Sequence, residues 1–193
     1  MNLKKIPSIT KDTKFSRKGL VITESDLLVP AYVASQFGFN EPGREFLERF
    51  YERLRNEVEI FPLCPFKACE EFLDKNNPNW GKFNKIVGKV NYGILIPNSK
   101  LLIALLDGSH AIDDGVSAEI GYYAGKMPGN PIIGIRSDFR LAENPEAPIN
   151  LAVKYLIEKS HRGKLFTGSG AYDNAFEYLP DLARKIIDEN TVH

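Results

Sequence analysis

The apolar positions of this chain fall into short unbroken runs separated by longer amphipathic stretches. Leu27, Leu28, Val29, Pro30, Ala31, Tyr32, Val33 and Ala34 form one such run, the pattern of a strand buried on both faces. Pro30 is expected to mark its start, because proline cannot donate within a central ladder. Residues 41–57 change period: Phe46, Leu47, Phe50, Tyr51 and Leu54 recur every three or four positions, opposite Arg44, Glu48, Arg49, Glu52 and Arg53. That spacing predicts a helix. Residues 58–61 read as a short second strand closed by Pro62 and Pro65, and weaker helical patterns cover 67–73 and 83–95. Residues 100–106 are the most hydrophobic strand, ended by Asp107 and Gly108. A helix over 114–126, a strand over 131–136, a helix over 150–159, a short strand over 164–166 and a helix over 172–188 complete the alternation.

Strands alternating with helices predict a parallel sheet covered on both faces. The expected fold class is α/β, a flavodoxin-like doubly wound sheet of about five parallel strands. Residues 1–28 carry neither period and hold Lys4, Lys5, Lys11, Lys14, Arg17 and Lys18, so they are predicted to be an arm preceding a single domain over 29–193.

Composition narrows the function classes. The chain has 193 residues, 43% hydrophobic and 26% charged, which fits one globular domain and excludes a disordered, collagen-like or disulfide-scaffold chain. Its 25 Lys and Arg balance 25 Asp and Glu, so no excess of positive charge supports binding to nucleic acid. Cys64 and Cys69 have no second pair and no nearby histidine to complete a zinc site, so two reduced thiols and no metal are expected. No apolar stretch approaches the roughly 20 residues of a membrane span, and no apolar signal region follows the basic start. A cytoplasmic protein without a membrane partner is expected.

Doubly wound sheets bind ligands beyond the C-terminal ends of their strands, which directs attention to residues 35–43, 107–117 and 136–149. The middle segment is the richest: Asp107, Asp113, Asp114 and Glu119 fall within thirteen positions. Along the helix predicted there, Val116, Ile120, Tyr123 and Ala124 make the core stripe, and Glu119 lies beside it among Gly115, Ala118 and Tyr122. A lone acid in that setting, one turn from a helix N-terminus, is shielded by its neighbours and kept ionised by the partly positive amides. That combination suits a nucleophile; the ordinary alternative is a surface acid that stabilises the dipole. Asp113, six positions earlier, would point about 240° away within one helix. The two converge only if Asp113 sits in the loop or at the cap, with Gly115 permitting close approach. Asp114 is expected to be the N-cap, and Asp107 to form a turn with Gly108.

Three motifs in order resemble the nucleoside 2-deoxyribosyltransferase family. The first is residues 31–39, with Tyr32, Ser35 and Phe37; the second joins Leu105, Leu106, Asp107 and Gly108 to residues 113–122; the third is residues 133–140, with Asn150 and Leu151 downstream. The resemblance implies a flavodoxin-like enzyme that moves a 2-deoxyribosyl group between nucleobases, with nucleosides and free nucleobases as its small-molecule partners and no cofactor. It places Glu119 as the nucleophile, Asp113 at the substrate and its leaving base, and Tyr32 close to the nucleophile. Asn150 resembles an asparagine supplied to a neighbouring subunit's site, which implies a homo-oligomer built from dimers. Ser35, Phe37, Asp107, Gly115 and Ser117 are further candidate substrate contacts, with Tyr32 and Phe37 expected as flat walls for the base. The chain departs from the family's pattern at Lys100, Val116 and Ser117, and Tyr92, following Asn91, stands where some members carry a base-contacting aspartate. Two alternatives stay open: an N-glycosidase acting on nucleosides or their 5′-monophosphates, with Ser35, Arg44 and Ser117 at the anion, and a non-catalytic nucleotide sensor. Arg136 and Arg140 read as loop ion-pair formers, His110 as a solvated loop residue and Trp80 as a packing residue.

Overall fold

Each apolar run becomes a strand of one sheet: β1 (Val29–Ser35), β2 (Ile60–Leu63), β3 (Leu101–Leu105), β4 (Ile132–Arg136) and β5 (Lys164–Thr167). In this computed structural model the described residues are 28–70, 76, 82–108, 112–138, 140 and 148–191. The arm expected over 1–27, residues 71–73 of a predicted helix, Trp80 and His110 lie outside them. The strands pair in the order β2-β1-β3-β4-β5, every pair parallel, with Val33 beside Ile103 and Ile103 beside Ile133. This is the flavodoxin-like doubly wound arrangement that the alternation predicts.

Side-chain alternation sorts the sheet into two apolar layers. Ala31, Val33, Leu101, Ile103, Leu105, Ile133 and Ile135 face α1 (Glu41–Glu57) and α6 (Ala171–Thr191). Tyr32, Ala34, Leu102, Ala104, Leu106 and Ile132 face α3 (Phe83–Val90), α4 (Asp114–Lys126) and α5 (Leu151–Lys159), with the short α2 (Pro65–Cys69) contributing Cys69. The chain leaves β1 toward β2 on one side and resumes at β3 on the other. The helices that follow β1 and β3 therefore pack on opposite faces of the sheet, the switch point beside which such folds bind ligands.

Two local expectations are corrected. Pro62 does not close β2 but lies within it; β2 is an edge strand, where a residue without an N–H is tolerated. The helix predicted over 83–95 is regular only to Val90, then widens into a π-helical turn, Asn91–Leu95, before a 3₁₀ turn, Ile96–Asn98. A π turn takes an extra residue per turn and recurs at functional sites.

Candidate active site

The central feature is built from three elements that are distant in sequence. Tyr32, wholly buried on β1, donates its hydroxyl to Oε1 of Glu119 on α4 at 2.5 Å. Asn91, at the start of the π turn, donates Nδ2 to the same oxygen at 3.5 Å. Both protein donors thus converge on one oxygen of the carboxylate, and no bond to Oε2 is found among the described residues. Burial pushes the Glu119 carboxyl up to about 7, the nearby Asp113 carboxylate adds to the rise, and the bonds from Tyr32 and Asn91 offset only part of it. Burial, followed by the charge of Glu119, holds the Tyr32 hydroxyl well above its ordinary value, so it stays a donor across the physiological range.

Asp113, not Asp114, caps α4. Its Oδ1 accepts from Val116 N at 3.1 Å, and Asp114 is the first helical residue. The reason is geometric: a cap residue must keep extended backbone while its side chain reaches back to the third amide, and Asp113 has ψ 135°. This takes Asp113 out of the helical wheel, the condition under which it and Glu119 approach one another. Gly115 makes room for that cap, since a β-carbon there would stand 2.9 Å from Asp113 Oδ1. Ser117, in the same turn, is partly buried and its N–H bonds Asp113 O.

Asp107 is turned into the scaffold. Its Oδ2 accepts from Ser137 N, Ser137 Oγ and the Tyr172 hydroxyl at 3.0, 2.9 and 3.0 Å, and its Oδ1 accepts from Asp138 N at 2.7 Å. These bonds tie the end of β3 to the loop after β4 and to the start of α6. Gln36 adds a bond to the Asp107 carbonyl at 2.7 Å. Gly108 completes this corner, because its φ of +123° is strained for any other residue and a β-carbon would meet Gln36 Nε2 at 2.2 Å.

The first loop also departs from expectation. Ser35 Oγ accepts from Phe37 N at 3.0 Å, closing a local turn. Phe37 packs edge-on against Phe46 of α1, with ring centroids 5.2 Å apart, on the α1 and α6 side of the sheet. Tyr32 lies in the opposite layer with its ring sealed in the core, so the two rings do not form facing walls. Asn150 caps α5, accepting from Ala152 N and Val153 N at 3.0 and 3.3 Å, and is exposed. Arg140 pairs with Asp138, holding that carboxyl well below its usual range, while Arg136 is wholly buried and bonds Leu106 O at 3.1 Å. Both arginines thus serve the loop, as the sequence suggests.

Asn91 is the residue that sequence reasoning passed over. Its neighbour Tyr92 carries the family comparison in the sequence, but Asn91, the first residue of the π turn, is the one that bonds Glu119, and Tyr92 packs edge-on against Tyr122 with ring centroids 4.9 Å apart. Among the described residues no cluster of His, Cys, Asp and Glu could hold a metal ion, and no helix is long and apolar enough to cross a membrane.

A model of the family described as nucleoside 2-deoxyribosyltransferase matches residues 31–152. That span includes Tyr32, Asn91, Asp113 and Glu119. Among solved structures, the chain is similar to the 2-desoxiribosyltransferase from Leishmania mexicana, with 19% identity, a TM-score of 0.54, and 79% of this chain and 97% of that chain covered. This likeness reports the shared fold. Comparison with curated protein sequences finds no match.

Proposed function

The chain belongs to the nucleoside 2-deoxyribosyltransferase family and is an enzyme of that type; from this premise we propose that it exchanges nucleobases through a covalent glycosyl ester on Glu119. The observation that carries the reading is the Glu119 carboxylate, poorly solvated, raised to about 7 and bonded by protein donors on Oε1 alone. A poorly hydrated carboxylate attacks well when ionised, and a fixed Oε1 presents Oε2 to the sugar.

In the first half-reaction Oε2 forms a bond to C1′ as the C1′–N bond breaks through an oxocarbenium-like transition state. The bonding pair leaves with the base, and the proton that neutralises it comes from the Asp113 side of the site. In the second half-reaction a nitrogen of the incoming base attacks C1′, the ester bond breaks, and its electron pair returns to Glu119. The acceptor nitrogen loses its proton as the cycle closes. Two inversions at C1′ restore the original configuration.

Transfer is favoured over hydrolysis because the anion site expected of a monophosphate hydrolase finds no support in the first loop. Ser35 there bonds its own chain, and no run of glycines presents amides to a phosphate. The test is direct. Incubation of a 2′-deoxynucleoside with a different free base should yield the exchanged nucleoside, resolved by chromatography, with kcat/KM falling on the acid side of about pH 7 as Glu119 protonates. Free sugar as the sole product, released at a rate unaffected by added base, would assign hydrolysis instead.

A further inference from the structure

Asn91 has one bonding group that the protein leaves unused. The residue is buried, its Nδ2 donates to Glu119 Oε1, and its Oδ1 is sealed from solvent with no hydrogen-bond partner. Buried side-chain oxygens are rarely left orphaned, because each unmade bond costs the desolvation of the group. The π turn that carries Asn91 is also clamped to the catalytic helix next door, where the Tyr122 hydroxyl donates to Tyr92 O at 3.2 Å. The backbone that carries the orphaned acceptor is therefore anchored, and the acceptor belongs to the same planar amide group that touches the reacting carboxylate.

Stereochemistry identifies what such an acceptor meets. This step rests on the proposed attack of Glu119 at C1′. Displacement approaches opposite the departing base. In a β-nucleoside the base projects from one face of the sugar, and the 3′-hydroxyl projects from the other. Glu119 and Asn91 thus meet the face that carries the 3′-hydroxyl, and in a 2′-deoxy sugar that hydroxyl is the sole donor there. We infer that Asn91 reads the sugar: Oδ1 accepts from the substrate 3′-hydroxyl while Nδ2 holds Oε1 of Glu119, so a single amide aligns the sugar with the nucleophile. A substrate lacking the 3′-hydroxyl leaves the buried Oδ1 unpaired in the complex, the situation in which polar sites discriminate most strongly.

The experiment compares kcat/KM for a 2′-deoxynucleoside and the matching 2′,3′-dideoxynucleoside, each with the same acceptor base. Wild type should prefer the hydroxylated substrate by about tenfold to a hundredfold. Asn91→Leu, similar in shape but without polar atoms, should reduce that preference to less than about threefold, and Asn91→Ala provides a second removal should the leucine variant fail to fold. Asn91→Asp loses the donor to Glu119 but keeps an acceptor, so it should turn over more slowly with the preference retained. A change in ratio between two substrates is not produced by general destabilisation, which lowers both rates together. Retention of the full wild-type preference in the removal variants, or its absence from wild type, overturns the inference while leaving the exchange activity established. Wild type inactive on both substrates would instead refute the attack on which the inference stands.

Discussion

Asp107 and Glu119 belong to one strand–loop–helix unit, and the fold treats these two carboxylates in opposite ways. Asp107 is the more buried, with 8% of its surface exposed, yet four donors from the loop after β4 and from α6 satisfy both of its oxygens. Glu119 is less enclosed, but its two donors share one oxygen, and burial raises it to about 7. Depth alone therefore does not decide how an acid is held. A carboxylate with donors on both oxygens becomes a structural tie, because it has little acceptor capacity left to offer a substrate. One supplied with donors on a single side is oriented with its other oxygen left open, the arrangement that the proposed attack on C1′ requires.

The strongest way to break this contrast is to delete the proposed nucleophile. Glu119→Ala should lose at least about a thousandfold in base-exchange turnover, equivalent to roughly 4 kcal/mol of transition-state stabilisation, while keeping its far-ultraviolet circular dichroism. Near-normal exchange by that variant would remove Glu119 from the mechanism.

Deleting the structural acid should show on stability. Asp107→Ala strips a common acceptor from Ser137, Asp138 and Tyr172. Denaturant unfolding is expected to report a loss of about 2 kcal/mol, the order associated with removing the common acceptor of several part-buried donors. A loss below about 1 kcal/mol would mean that water replaces the carboxylate, and that Asp107 is not the tie described here.

The smallest effect carries a sign. An unfolded glutamate titrates near the ordinary value of about 4.3, whereas the folded Glu119 titrates near 7. Between those values the folded state binds the extra proton, so the Glu119 contribution to stability is greatest below the lower value and is lost as pH rises through the upper one. Glu119→Gln keeps a carbonyl oxygen for Tyr32 and has no such penalty. It should stand closest to wild type near pH 4.5 and gain on it steadily as pH rises toward 8, read from melting curves across that range. A stability difference that does not change with pH would show that solvent, not burial, governs Glu119.

Much of the architecture was legible in the chain. The switch between unbroken apolar runs and 3.6-residue periodicity located all five strands and α1 over its full length, because the pattern of apolar positions encodes which faces of an element are covered. The same logic separated Glu119 from its apolar neighbours on α4. Its failures are equally physical. The cap fell on Asp113 instead of Asp114, since one backbone dihedral moves a helix start by a residue without altering the hydrophobic pattern. Phe37 was expected at the base but joined α1, because an aromatic side chain in a loop is drawn to whichever apolar surface lies closest.

By itself, then, the sequence determined the order of strands and helices, the two buried layers and the segment that carries the acids. These are local properties, written in spacing along the chain. The tertiary structure alone decided which groups meet across the folds of the backbone. Tyr32 reaches Glu119 over a separation of 87 residues, Asn91 over 28 through a π turn, and Tyr172 reaches Asp107 over 65. Whether a carboxylate is tied on both oxygens or left open on one depends on the donors facing it from elsewhere in the chain, and linear spacing holds no record of them.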